Sequence, residues 1–158
     1  MWSTCDMTEW SDWYRREDPA TWVLPRILRD RAEAHPDRDY FRFATGPWRS
    51  YGWMDLQANR VANALIARGL QPGECVSMLM PNCEESVPCW FGILRAGGVQ
   101  SPINTAYLGD FLSWVINLPK SRYLIISDEF RRRLLGDGVD AVGKALTVDG
   151  ISHTVVGV

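Results

Sequence analysis

The chain has 158 residues, 46% of them hydrophobic and 23% charged, and a formal net charge of −2. That is one globular domain's worth of sequence, able to bury roughly 70% of its unfolded surface, and it excludes a disordered chain. The faintly acidic balance, with a pI near 5.7, offers no polybasic face and argues against a nucleic-acid partner.

No apolar run approaches the roughly 20 residues needed to span a bilayer, so no transmembrane segment is expected. The start, MWSTCDMTEWSDWYRRED, is polar and acidic. It has neither the basic lead nor the apolar centre of a signal peptide. Cysteines stand at 5, 75, 83 and 89 with no Cys-x-x-Cys pair. Cys83 and Cys89 read as lying on different faces of one helix, so reduced, mostly buried thiols are expected. These features place the chain in the cytoplasm, free or peripheral at a membrane.

In chain order, residues 1–23 form a leader holding Trp2, Trp10, Trp13 and Trp22. It reads as aromatic anchors packing onto the domain, with a partner-binding or membrane-surface patch as the alternative. LPRILRDRAEAHP then spaces Leu24, Ile27, Leu28 and Arg31 as a helix that stops before Pro36. DYFRFATGPWRSY predicts a hairpin around Ala44-Thr45-Gly46-Pro47. MDLQANRVANALIARG puts Ala58, Val61, Ala62 and Leu65 on one helical face and ends at Gly69. A Gln71-Pro72-Gly73-Glu74 turn follows.

CVSMLM has the character of a buried strand, broken by Pro81-Asn82. Asn82 is the expected cap of a helix over CEESVPCWFGILRA, with Glu84-Glu85 in its first turn and Arg95 in its last. Pro88 sits deep for that start, so the helix is expected to begin later or to bend. GVQSPI, RYLIIS and HTVVGV read as strands, and GDFLSWVINL and DEFRRRLL as helices. Strand and helix alternate, as in a doubly wound, mostly parallel sheet with helices on both faces, here a hairpin plus an incomplete sheet.

Gly97-Gly98 raises the question of a phosphate loop. Such loops follow a strand and open a helix, so that backbone N–H groups and the positive helix end face the anion. This pair instead follows a helix and precedes a strand, where glycine serves as the left-handed cap. The joints with the right polarity are Met80-Pro81-Asn82 and Asn104-Thr105-Ala106-Tyr107. Ligands of such sheets lie outside the carboxyl ends of the strands. Asn104 and Thr105 are therefore candidate cofactor-binding residues, with capping of the helix near Asp110 as the alternative.

Five motifs in order resemble the start of the adenylate-forming enzymes, above all the ATP-dependent acyl-CoA synthetases. They are Ser50-Tyr51-Gly52-Trp53-Met54, the Gly69-to-Val76 turn GLQPGECV, Pro81-Asn82, Leu94-Arg95-Ala96-Gly97 and Pro102-Ile103-Asn104. The resemblance covers roughly residues 24–135 and makes 24–158 the N-terminal part of an AMP-binding domain, cut before its nucleotide loop.

It implies that a carboxylate attacks the α-phosphorus of Mg-ATP, giving acyl adenylate and pyrophosphate, and that the CoA thiol then displaces AMP. ATP, Mg²⁺ and CoA are thus implied for the full-length family, and the acid is left open among fatty, carnitine-type and aryl acids. The family's phosphate loop ending Pro-Lys, its metal-binding Thr-Glu and its C-terminal lysine find no counterpart, the only lysines being Lys120 and Lys144. No catalytic residue and no metal ligand are assigned. The chain alone is expected to bind none of these cofactors and to be inactive, its partner being the remainder of the ligase or a complementing chain. A non-catalytic interaction module on the same half-fold is the alternative.

Other constellations carry less. His35 and His153 read as surface histidines without a ligand pattern. Asp128-Glu129 suits a helix start. Arg131-Arg132-Arg133 reads as a solvated helix face, with an anion such as a CoA phosphate as the alternative. The serines lack a nucleophile elbow.

Overall fold

The computed structural model describes residues 23–138 and 140–157. The leader read over 1–23 lies, apart from Val23, outside the described residues. Helix α1 spans Leu24–Ala34, with Pro25 in its first turn and Leu28 and Ala32 buried. It ends where expected, the His35 N–H returning to the Arg31 carbonyl just before Pro36. Strands β1 (Asp39–Phe41) and β2 (Arg49–Ser50) pair antiparallel as the predicted hairpin.

Ser50 then starts α2 (Tyr51–Ala67), its hydroxyl accepting the Trp53 N–H at 3.2 Å. The Ser-Tyr motif is thus a helix N-cap, satisfying one of the donors that every helix start leaves open. Met54, Ala58, Ala62 and Leu65 form the buried stripe. The Gln71-to-Glu74 turn closes with a 3.1 Å bond from Glu74 N–H to the Gln71 carbonyl. Gly73 takes φ +84° at its third position, as a type II turn requires.

The remaining strands are β3 (Cys75–Leu79), β4 (Val99–Pro102), β5 (Tyr123–Ile126), β6 (Ala145–Val148) and β7 (Ile151–Gly157). They form one sheet in the order β4-β3-β5-β7-β6. Pairing is parallel from β4 to β7, and β6 lies antiparallel on the edge. Val76, Met78, Tyr123, Ile125 and Val156 point to one face, under α2 and helix α3 (Ser86–Arg95). Leu79, Leu124, Ile126 and Val155 point to the other, under α4 (Gly109–Asn117) and α5 (Asp128–Leu135). Period-two alternation inside near-continuous apolar strands is what burial on both faces demands. A third cluster, Leu28, Met54, Ala58 and Phe91, joins α1 to α2 and α3.

Four expectations are corrected. Asn82 does not cap α3: the helix begins at Ser86 with Glu85 at the cap and no side-chain cap bond. Pro88 decides this, because at the third helical position its missing N–H is one the helix cannot use. Glu84 consequently stands outside the helix, and its carboxylate pairs with Arg49 of the hairpin instead of the dipole. Cys83 also precedes α3, so it and Cys89 do not share a helix, and both pack against the same apolar cluster. His153 is no surface residue but fully buried, Nδ1 2.7 Å from the Ser121 carbonyl and Nε2 2.8 Å from Asn117 Oδ1.

Candidate functional site

Every strand-to-helix joint of the sheet opens at one end, where two clefts lie side by side. The first, of about 690 Å³, sits outside β3 and β4 and is lined by Pro81, Asn82, Ser86, Trp90, Asn104 and Thr105 among others. The structure therefore brings the two joints singled out in the sequence into one cleft. β4 reaches it because the Ile103 N–H bonds the Met78 carbonyl at 2.9 Å, extending the ladder to the joint. Asn104 is exposed, and its Oδ1 accepts the Ala106 N–H at 2.9 Å, closing a local turn. Neither Asn104 nor Thr105 caps α4, whose cap position is Leu108 without a side-chain bond.

The second cleft, about 480 Å³, lies over Met80, Ile125 and Val156 at the ends of β3, β5 and β7, walled by α2 and the start of α3. Sequence reasoning missed it. The strand order puts β4 and β5 on opposite sides of β3, which makes the β3/β5 gap the switch point where such sheets open a crevice. That order is not legible in a single sequence. Arg49 dominates its rim, ion-paired to Glu84 with its guanidinium 4.7 Å from the Trp53 ring centre. Cys89, facing this cleft, has its thiol pushed up to about 12, first by burial and then by Cys83 and Glu85. Burial likewise raises Cys83. Neither thiol is a nucleophile at neutral pH.

The glycine pair sits at the opposite end of the sheet, before β4. Gly97 adopts φ +80°, and the Gly97 and Gly98 N–H groups bond the Leu94 and Ile93 carbonyls at 3.1 and 2.9 Å. Both donors are consumed in closing α3, so the pair is a structural cap. Of the arginine run, Arg131 and Arg132 are held by Asp128, and Arg133 lies over the Phe130 ring at 5.8 Å.

A strand-helix sheet opened by five ordered motifs is a family signature, and residues 28–155 match the AMP-binding enzyme family. The chain belongs to that family. It is similar to the crotonobetaine/carnitine–CoA ligase of Citrobacter koseri, 32% identical over 144 residues that cover 82% of this chain and 28% of the relative. The Proteus mirabilis ligase of the same name is 34% identical over 111 residues, covering 68% and 21%. Among solved structures, the nonribosomal peptide synthetase FmoA3 in its α-methyl-L-serine-AMP bound form superposes with a TM-score of 0.71 at 23% identity. That match covers 89% of this chain and 14% of the synthetase and shows the shared fold. The chain thus spans about a quarter of the length of the curated ligases it matches.

The first cleft does not fit a triphosphate and its magnesium; the second carries Arg49 and Arg60, of which Arg49 is paired with Glu84. The cleft holding Asn104 and Thr105 is lined by neutral side chains, with no lysine or arginine to balance transferring phosphoryl charge. Among the described residues no three His, Cys, Asp or Glu side chains gather as a metal site. No helix among them is long and apolar enough to cross a membrane.

Proposed function

We propose that these residues form the N-terminal sheet layer of an ATP-dependent acid–CoA ligase, and that they do not catalyse the reaction by themselves. The carrying observation is the match of residues 28–155 to the AMP-binding enzyme family. In the reaction, a carboxylate oxygen bonds the α-phosphorus of ATP and pyrophosphate leaves; the CoA sulfur then bonds the acyl carbon and AMP leaves. ATP, Mg²⁺ and CoA are bound through the remainder of the ligase, supplied by the same or a complementing chain.

This layer's contribution is a rigid floor. Asn104 and Thr105 offer neutral donors and acceptors at the cleft mouth to a ligand whose charge is balanced by groups outside these residues. The relatives' names favour a short polar acid of the crotonobetaine or carnitine kind over a fatty acid. The reading puts this work in the cytoplasm, free or peripheral at a membrane, a proposal consistent with no described helix being long and apolar enough to cross a bilayer.

The test is to sequence the coding DNA beyond Val158. An open frame running into a Ser/Thr/Gly-rich loop that ends Pro-Lys supports the reading. An immediate stop codon, with no complementing chain co-purifying, overturns it in favour of a non-catalytic module.

A further inference from the structure

His153 of β7 is fully buried, and its ring stands between two oxygens. The Ser121 carbonyl is 2.7 Å from Nδ1, and Asn117 Oδ1 is 2.8 Å from Nε2. A carbonyl oxygen only accepts, so each contact asks the ring for an N–H, and a neutral imidazole has one.

Turning the Asn117 amide over moves the fault without removing it. As placed, Nδ2 donates to the Val148 carbonyl at 3.1 Å, which holds Oδ1 towards the histidine. Turned, Nδ2 would serve His153, and Oδ1 would oppose the Val148 carbonyl, oxygen against oxygen. The run Val148–Asn117–His153–Ser121 therefore has three links and a carbonyl at each end. A neutral ring completes two of them in either arrangement. An imidazolium completes all three.

The charge is not supplied from outside the run. Among the described residues, no carboxylate and no cation bonds or ion-pairs with the ring. The charged groups on the elements around it are Asp110 in the first turn of α4, Lys120 and Arg122 beside Ser121, and Lys144 and Asp149 at the ends of β6. All are exposed, and Arg122 is held by Glu74. Tyr123 of β5 turns to the opposite face of the sheet, its hydroxyl on the Arg68 carbonyl. Burial thus opposes a charged ring, while two bonds as short as charge-assisted ones favour it.

We infer that His153 takes up a second ring proton from solvent inside the folded chain and acts as a pH-gated clasp. Closed, it joins the end of α4 and the β6–β7 hairpin to the segment before β5. With a neutral ring one link stays open. The helix so anchored is the one that follows the Asn104-Thr105 joint.

Nitrogen-15 NMR of the labelled full chain reads the two ring nitrogens, with the exposed His35 as internal control. Between about pH 8 and about pH 5, where imidazoles titrate, the bare nitrogen of His153 is expected to gain a proton while the amide spectrum stays folded. A ring that keeps one bare nitrogen down to acid unfolding would overturn the inference. Thermal melting of the natural chain and of Asn117→Ala gives a second reading. A proton held by the folded chain and not by the unfolded one adds stability at low pH that is lost as pH rises. The melting gap between the two chains is expected to be wider by roughly 3 °C at the acid end than at the alkaline end. A gap that stays level or narrows on acidification contradicts the clasp. Should the variant fail to fold, the ring spectrum of the natural chain decides alone.

Discussion

Arg95 of α3 and Asp55 of α2 meet with Nη2 2.6 Å from Oδ1, their side chains 16% and 19% exposed. The same guanidinium donates to Asn59 Oδ1 at 2.8 Å, to the Asp55 carbonyl at 3.2 Å and to the Pro25 carbonyl at 3.1 Å. One side chain therefore ties α1, α2 and α3 together, a role beyond the dipole partner that its place in the last turn suggests. Removing it leaves a largely buried carboxylate without its cation, held only by the Asn59 amide 3.0 Å from Oδ2. Arg95→Met is expected to cost about 3 kcal/mol in urea unfolding. Asp55→Ala combined with it should cost clearly less than the sum of the two single changes. A loss under about 1 kcal/mol for Arg95→Met would mean that solvent already screens the pair.

Gly92 lies where α3 crosses α2. A Cβ built there would stand 2.5 Å from Val61 Cβ and 2.9 Å from the Ala58 carbonyl oxygen. Helix propensity alone favours Gly92→Ala by about 1 kcal/mol. Backbone contact opposes it, because the two helices must separate. The expected net effect is destabilisation of about 1–3 kcal/mol, read as a lower urea midpoint. A raised midpoint would show that the crossing is looser than this geometry.

Gly97 distinguishes a cap from a phosphate loop. Its φ of +80° disfavours any L side chain, while a Cβ would stand in ordinary contact, 3.5 Å from Pro72. Gly97→Ala should therefore cost about 1–2 kcal/mol of stability from backbone conformation. Nucleotide binding by a ligase assembled with this chain should be unchanged. A selective loss of nucleotide affinity at unaltered stability would restore the phosphate reading.

Glu74 gives a pH signature. Arg122 bonds its carboxylate, and the Gln71 N–H bonds it as well, so its affinity for a proton falls below the ordinary carboxylate range. A carboxyl depressed on folding adds stability above its unfolded pKa and loses it as pH falls through the folded value. The melting-temperature gap between the natural chain and Glu74→Gln should be present at neutral pH and close below about pH 4. A gap that widened on acidification would contradict the pairing.

Much of the fold was legible because local chemistry and tertiary packing agree. The Ala58-Ala62-Leu65 stripe, the Gly69 stop and the alternation of strand with helix all stand as the residues imply. Strand β6 escaped notice, although Asp149-Gly150 is a strong hairpin dipeptide and takes φ of +48° and +80°. Ala145-Leu146-Thr147-Val148 is only four residues long and alternates exposed with half-buried positions, so the strand shows only when β7 supplies its partner. The start of α3 was misplaced because Asn82 is a good cap in isolation, while Pro88 and the path around the sheet end fix the first turn at Ser86. His153 looked like a surface residue because its oxygen partners, on Asn117 and Ser121, are 36 and 32 residues away.

Of the two candidate clefts, one was legible as a place and neither as a binding site. Polarity of the joints pointed to Asn104 and Thr105, which the structure sets with Pro81 and Asn82 in one cleft. The neighbouring cleft depends on Arg49, Trp53 and Glu84 converging from a hairpin, a helix and a loop. No spacing in the sequence announces that meeting.

The measurement that tests the central claim most directly is pyrophosphate release by the purified chain with ATP, magnesium, CoA and crotonobetaine or carnitine. The account predicts release no greater than that of a boiled control, because the cleft at Asn104 and Thr105 carries no cation to balance phosphoryl charge and, in the neighbouring cleft that Arg49 and Arg60 line, Arg49 is already paired with Glu84. Release well above the control would contradict it and place a complete adenylating site within these 158 residues.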